Sequence, residues 1–157
     1  MTTPAQDTPD LQLAGFIAKF TPEIGELAEA VLARMRERLP GAVELVYDNY
    51  NALAIGFGPT ERSSDAMFSI AVFPRWVSLF FFHGTELPDP DRLLKGTGNV
   101  VRHIVLKSAD DLDRPAVRAL MAAEIERSAV PLDASAPGRI VIKSISAKQR
   151  PRRPGAR

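Results

Sequence analysis

Four short apolar segments within forty residues constrain the fold of this chain most strongly. They occupy residues 43–48, 52–57, 67–73 and 77–82 and are rich in the β-branched and aromatic residues that favour strands. Turn residues separate them, and the link at 74–76 is only three residues long. Because parallel strands need a long crossover connection, these short links predict antiparallel pairing of neighbouring segments.

Amphipathic patterns lie on both sides of this run. Residues 22–39 repeat apolar side chains at the i, i+3, i+4 spacing of a helix with one buried stripe, and Thr21 and Pro22 suit its first turn. Residues 11–20 predict a shorter helix, and another helix begins near Asp113. Two further segments, 99–107 and 139–146, have the composition of strands.

This order of elements predicts a single α+β domain. We expect an antiparallel sheet of five to six strands, with a mixed sheet also allowed, and helices packed on one face. The 157 residues suit one domain. We expect a flexible N-terminus at 1–10, the domain at 11–146 and a disordered basic tail at 147–157.

Composition narrows the classes of function. Without cysteine, the chain has no disulfides, thiolate metal sites or cysteine nucleophile. Its start lacks the pattern of a secretory signal and no apolar run could span a bilayer, so we expect a cytoplasmic protein without membrane contact. Five basic residues and no acid follow Ser146, whereas residues 1–146 carry fifteen basic against nineteen acidic residues. The basic tail RPRRP has two interpretations: weak, salt-dependent association with nucleic acid, or a segment that serves only solubility or is dispensable.

The stretch KGTGN at 95–99 precedes a predicted strand. It matches neither the phosphate-binding loop of nucleotide hydrolases nor the glycine pattern of dinucleotide folds. Two interpretations stay open: an anion-binding nest with Lys95 and Arg102, or a tight turn. Alternation along the strand places Arg102 among aliphatic residues, so it must have a partner or reach solvent.

A second polar cluster, YDNYN, interrupts apolar strands at 47–51. Asp-Asn is common in turns, yet tyrosines with amides and a carboxylate also suit a small polar ligand. We expect one ligand site built from both clusters, with no catalytic and no metal-binding residue: Tyr47, Asp48, Tyr50, Asn51, Lys95, Thr97, Asn99 and Arg102. A face left without helices would expose Trp76 and Phe81 as a ligand or homodimer surface.

Three longer motifs carry a resemblance: YDNYNALAIGFGP at 47–59, FPRWVSLFFFHG at 73–84 and LLKGTGNVVRHIVLKSADDLD at 93–113. Over residues 16–128 the chain resembles the YdhG-like family of small bacterial proteins, a domain of unknown function. The resemblance implies the same α+β fold. Some members are described as frataxin-like intracellular iron chaperones, which implies iron as a ligand, although here the acids of the second helix alternate with arginines.

No nucleophile stands beside a base at a recognisable spacing, which favours a non-enzymatic protein. The leading interpretation is a binding domain for a small anionic ligand or a protein partner. An iron chaperone and a protein that associates weakly with nucleic acid through its tail are the alternatives.

Overall fold

A computed structural model describes residues 8–155 and shows three helices and one six-stranded sheet. The helices are α1 (Pro9–Ile17), α2 (Pro22–Arg38) and α3 (Pro115–Glu126). The strands are β1 (Val43–Asp48), β2 (Leu53–Gly58), β3 (Phe68–Val72), β4 (Val77–Phe81), β5 (Arg102–Leu106) and β6 (Arg139–Ile145). No helix in the described part of the chain is long and apolar enough to cross a membrane.

The strand order in the sheet is β5-β4-β3-β2-β1-β6. The first five strands pair antiparallel, which the short connections predict for β1 to β4, and β6 returns parallel to β1. A connection through α3 separates β5 from β6 in the chain and makes this parallel pairing feasible. The prediction of an α+β domain with a sheet of five to six strands is therefore confirmed.

Helices cover one face of the sheet. Alternate residues of β2, β3 and β4 enter the same core cluster as the buried stripe of α2, whose members are Ile24, Ala28, Val31, Leu32 and Met35. Leu45 and Ala71 are buried but lie outside this cluster, because they project from the opposite face. Phe81 belongs to the core and is fully buried, so the expectation of an exposed Phe81 is wrong. Phe80 projects from the other face instead, where its ring lies 5.0 Å from that of His103.

Thr8 and Thr21 cap the first two helices through their side-chain oxygens. Helix α1 begins at Pro9, two residues before the predicted start, so residues 8–10 are helical or capping instead of flexible. Residues 1–7 of the predicted flexible N-terminus lie outside the described residues. Strand β5 begins only at Arg102, since residues 99–101 belong to the preceding loop.

The sheet has two ends, which we name after residues of β1. At the Asp48 end, the register aligns Asp48 with Leu53, Leu53 with Val72, Val72 with Val77, and Val77 with Leu106. The opposite, Val43 end contains the last residues of β2 and β4 and the start of β5. The β1–β2 turn and the β3–β4 turn thus lie side by side at the Asp48 end.

Candidate functional site

The two predicted polar clusters are not brought together. Three strands separate β1 from β5, and both strands run in the same direction. Strand β1 ends within residues 47–51, at the Asp48 end of the sheet. Residues 95–102 lie at the Val43 end, where β5 begins with Arg102. The eight predicted residues therefore do not form one site, because β1 ends at one end of the sheet and β5 begins at the other.

The KGTGN stretch is a turn that Arg102 closes. The Nη1 atom of Arg102 donates hydrogen bonds to the carbonyl oxygens of Gly98 at 2.5 Å and Val101 at 2.9 Å. Lys95 pairs through its backbone with His103 in both directions, and Gly96 adopts a φ of 125° that favours glycine. The partner that Arg102 required is thus its own loop. The side chains of Lys95, Thr97 and Asn99 are exposed around it.

Asp48 is fully buried and holds an ion-pair cluster at the end of β1. Its Oδ2 atom lies 2.7 Å from Lys19 Nζ and its Oδ1 atom lies 2.9 Å from Arg152 Nη2. Burial alone would raise the pKa of the Asp48 carboxyl, but Lys19, Gln149 and Arg152 together hold that pKa below its usual value. Asp48 is therefore an ionised structural anchor with no surface for a ligand.

The C-terminal segment, which we define as residues 146–155, docks on this anchor. Ser146 N–H donates to the carbonyl of Asp48, and Arg150 N–H donates to the carbonyl of Tyr50. Arg152 is only 5% exposed and also donates to the carbonyls of Asn49 and Tyr50. The structure differs here from the expectation of a disordered tail, because Arg152 finds a buried counter-charge 104 residues earlier in the chain. Residues 156–157 lie outside the described residues.

Docking of the C-terminal segment creates a pocket at the Asp48 end of the sheet. One wall is the β3–β4 turn, which Phe73 N–H closes by donating to the carbonyl of Trp76 at 2.9 Å. The other wall is the C-terminal segment, and Asn51 of the β1–β2 turn lies between them. The cavity measures about 560 Å³ and is lined by Asn51, Phe73, Pro74, Arg75, Trp76, Arg150, Pro151, Arg153, Pro154 and Gly155. We call it the arginine pocket.

Charge in the arginine pocket is of one sign. Three arginines line it and no acidic residue does. The side chains of Arg75 and Arg150 have no hydrogen bond or ion pair among residues 8–155, and Arg153 donates only to the carbonyl of Lys19. Like charges held in one concave site raise the local potential and attract an anion. The pocket therefore has the electrostatics of an anion site.

Aromatic surface forms the other part of this pocket. The rings of Phe73 and Trp76 stack with centroids 4.5 Å apart and planes inclined by 18°. Trp76, the only tryptophan in the chain, is nevertheless 42% exposed. A partly exposed indole beside arginines can bind both a flat ring and a charged group.

A second cavity, of about 350 Å³, lies at the Val43 end and has balanced charges. Asp10 and Glu44 line it together with Arg36 and Arg139. Glu44 already accepts two hydrogen bonds from Arg36, at 2.7 and 2.8 Å. Arg139 also pairs with Glu61, so three of these four charges are already paired and this cavity offers an anion less than the arginine pocket does.

His83 and Glu124 form a further polar pair, between the end of β4 and helix α3. The carboxylate of Glu124 is fully buried, accepts the His83 backbone N–H at 2.9 Å and lies 2.5 Å from His83 Nδ1. No hydroxyl group hydrogen-bonds to the His83 ring within residues 8–155. The pair joins helix α3 to the end of β4.

The acidic residues of the turn at 110–113 are already paired. Asp110 and Asp113 form ion pairs with Arg34, and Asp113 also pairs with Arg38. Asp111 accepts hydrogen bonds from the backbone of its own turn. Across residues 8–155 there is no group of three or more histidine or acidic side chains placed to hold a metal ion.

Sequence reasoning identified parts of the arginine pocket but not their contact. Of the eight predicted site residues only Asn51 lines it. Trp76 was expected as exposed aromatic surface and the RPRRP tail as a phosphate-binding segment, each separately. A signal that could have joined them is Asp48 at the end of a mostly apolar strand, since a buried carboxylate there requires a cation.

Comparison with protein-family models, with curated proteins and with solved structures finds no match to this chain. The resemblance to the YdhG-like family therefore stays a prediction from the sequence.

Proposed function

We propose that this protein is a non-enzymatic binding domain for a small anionic ligand, which it holds in the arginine pocket. The observation that carries the proposal is the set of three arginines, Arg75, Arg150 and Arg153, without an acidic residue in the same cavity. A guanidinium presents a planar fork of donors that matches carboxylate and phosphate oxygens. Two of the three forks have no partner within residues 8–155 and are free to bind an anion.

Two features of the pocket support a small ligand over a protein surface. Its volume of about 560 Å³ falls in the usual range for small-molecule sites of about 300–1,000 Å³. Prolines at 74, 151 and 154 restrict the backbone of both walls, so little conformational entropy is lost when the ligand binds.

Titration with inorganic pyrophosphate tests the proposal. Because Trp76 is the sole tryptophan, its fluorescence reports occupancy directly, and calorimetry gives the dissociation constant. We expect sub-millimolar binding at 50 mM salt, and weaker binding at 200 mM salt because screening increases. Arg75→Met and Arg150→Met should each weaken binding about ten-fold.

Arg62→Met is the matched control, because Arg62 is an exposed arginine beyond the Val43 end of β2, on the far side of the sheet. It should leave the dissociation constant unchanged. The proposal is refuted if pyrophosphate does not bind below 1 mM at 50 mM salt, or if Arg62→Met weakens binding as much as the two pocket variants do.

A further inference from the structure

We infer that the anion bound in the arginine pocket is a nucleoside phosphate, with its base on Trp76 and its phosphate on the arginines. This inference rests on the proposed function and adds a ligand class to it. Inorganic anions or small carboxylates would use the arginines alone and leave the aromatic wall in water. The two kinds of surface in one cavity are both used only by a ligand that is flat and apolar at one end and anionic at the other.

The aromatic wall leaves part of Trp76 exposed to a ligand. Phe73 stacks on one face of the Trp76 indole, with planes only 18° apart. Trp76 lines the cavity and remains 42% exposed despite this stack. A base inserted there would extend the Phe73–Trp76 stack, and stacking on an aromatic side chain is available to every nucleobase.

The polar groups are placed for the rest of a nucleotide. Prolines at 74, 151 and 154 contribute no backbone N–H, so donors in the cavity come mainly from side chains. Arg75 lies next to Trp76 in the β3–β4 turn, and Arg150 and Arg153 face it from the C-terminal segment. Asn51 adds an amide that can both donate and accept at the edge of a base.

A free nucleotide fits this arrangement better than a nucleic-acid strand. Proteins that bind single strands place cations along a groove that follows about 4–16 nucleotides. Here all three arginines line one cavity of about 560 Å³ between the β3–β4 turn and the C-terminal segment. The three cations therefore line a single cavity, whereas a strand-binding groove would distribute them along a path.

Calorimetry with four probes tests the inference: adenosine 5′-monophosphate, adenosine, pyrophosphate and a six-nucleotide oligothymidylate. We expect the monophosphate to bind at least ten-fold more tightly than either adenosine or pyrophosphate. Trp76→Leu should weaken the monophosphate about ten-fold and leave pyrophosphate unchanged, whereas Trp76→Phe should keep most of the affinity. Tyr50→Leu is the matched control, since Tyr50 is 47% exposed at the same end of the sheet but does not line the cavity.

The outcomes separate the inference from the proposed function. Equal affinity for pyrophosphate and the monophosphate, unaffected by Trp76→Leu, overturns the nucleotide and leaves an anion site. Oligothymidylate that binds more than ten-fold tighter than the monophosphate overturns it in favour of a nucleic-acid strand. Failure of every anion to bind refutes the proposed function itself. Thermal unfolding of each variant verifies that Trp76→Leu folds, and Trp76→Phe provides the readout if it does not.

Discussion

Replacement of Arg152 by methionine tests whether the C-terminal segment is part of the folded domain. The guanidinium lies 2.9 Å from Asp48 Oδ1, donates to the carbonyls of Asn49 and Tyr50, and sits 5.7 Å from the centre of the Phe20 ring. Methionine is also long and unbranched, so it can keep the packing against Phe20 while it removes the charge and every hydrogen bond.

The magnitude follows from what Asp48 retains. Breaking a buried ion pair from one side costs about 3–5 kcal/mol, and one hydrogen bond to a charged group contributes about 1.5–3 kcal/mol. Lys19 remains 2.7 Å from the other carboxylate oxygen, and Arg152 Nε is buried without a partner among the described residues, so both facts reduce the cost. We therefore expect Arg152→Met to lower the free energy of unfolding by roughly 2–4 kcal/mol. For a chain of this length that corresponds to a fall in Tm of about 5–15 °C.

Urea unfolding followed by circular dichroism at pH 7 measures this change, with Arg153→Met as the control. Arg153 is the adjacent residue, carries the same charge and is exposed, with one hydrogen bond to the Lys19 carbonyl. Its replacement should change the free energy of unfolding by no more than about 0.5 kcal/mol. If the two variants have the same stability, the C-terminal segment does not dock as described and the arginine pocket has no second wall.

Three further predictions concern the stability of the domain. Because the pKa of Asp48 is lowered, its ion pairs contribute fully to stability above about pH 4 and are lost as pH falls through the folded pKa. In urea titrations, the difference in stability between the wild type and Asp48→Asn should therefore be constant from pH 7 to 5 and should shrink below about pH 4. Glu124→Ala removes a buried carboxylate that accepts two hydrogen bonds and should cost about 1–3 kcal/mol by the same assay, and a cost below 0.5 kcal/mol would contradict its structural role. Gly84→Ala places a Cβ 2.7 Å from the Arg102 backbone nitrogen and should lower Tm. Gly15→Ala, in open space on α1, should raise stability by up to about 1 kcal/mol. A higher Tm for Gly84→Ala than for Gly15→Ala would refute the packing at Gly84.

Most of the fold could be predicted because local patterns encode it. The stripe of α2 and the alternation along β2, β3 and β4 reflect which side faces the core, and each pattern lies within one short segment. Short links then determine the antiparallel order from β1 to β4, whereas the long segment 82–101 separates β4 from β5. The parallel return of β6 depends on contacts with β1 almost a hundred residues earlier, which no local pattern specifies.

The candidate site could not be predicted in the same way. The sequence placed Asp48 within the polar cluster YDNYN, at the end of a strand that also contains Glu44. Its role depends on Lys19 and Arg152, which come from opposite ends of the chain. A ligand role and a structural role require the same residue type, and only the burial of its partners distinguishes the two.

Arg150, Arg152 and Arg153 look equivalent in the sequence but divide two tasks between them. Arg152 enters the core beside Asp48, while Arg150 and Arg153 line the arginine pocket. The buried arginine therefore fixes the position of the two ligand-facing ones, with Pro151 between them to limit the path of the backbone. A change that frees the segment must then cost ligand affinity as well as stability. Asp48 does not line the pocket, so Asp48→Asn should weaken anion binding by releasing the C-terminal segment. Gly84→Ala, at the other end of the sheet, should leave anion binding unchanged.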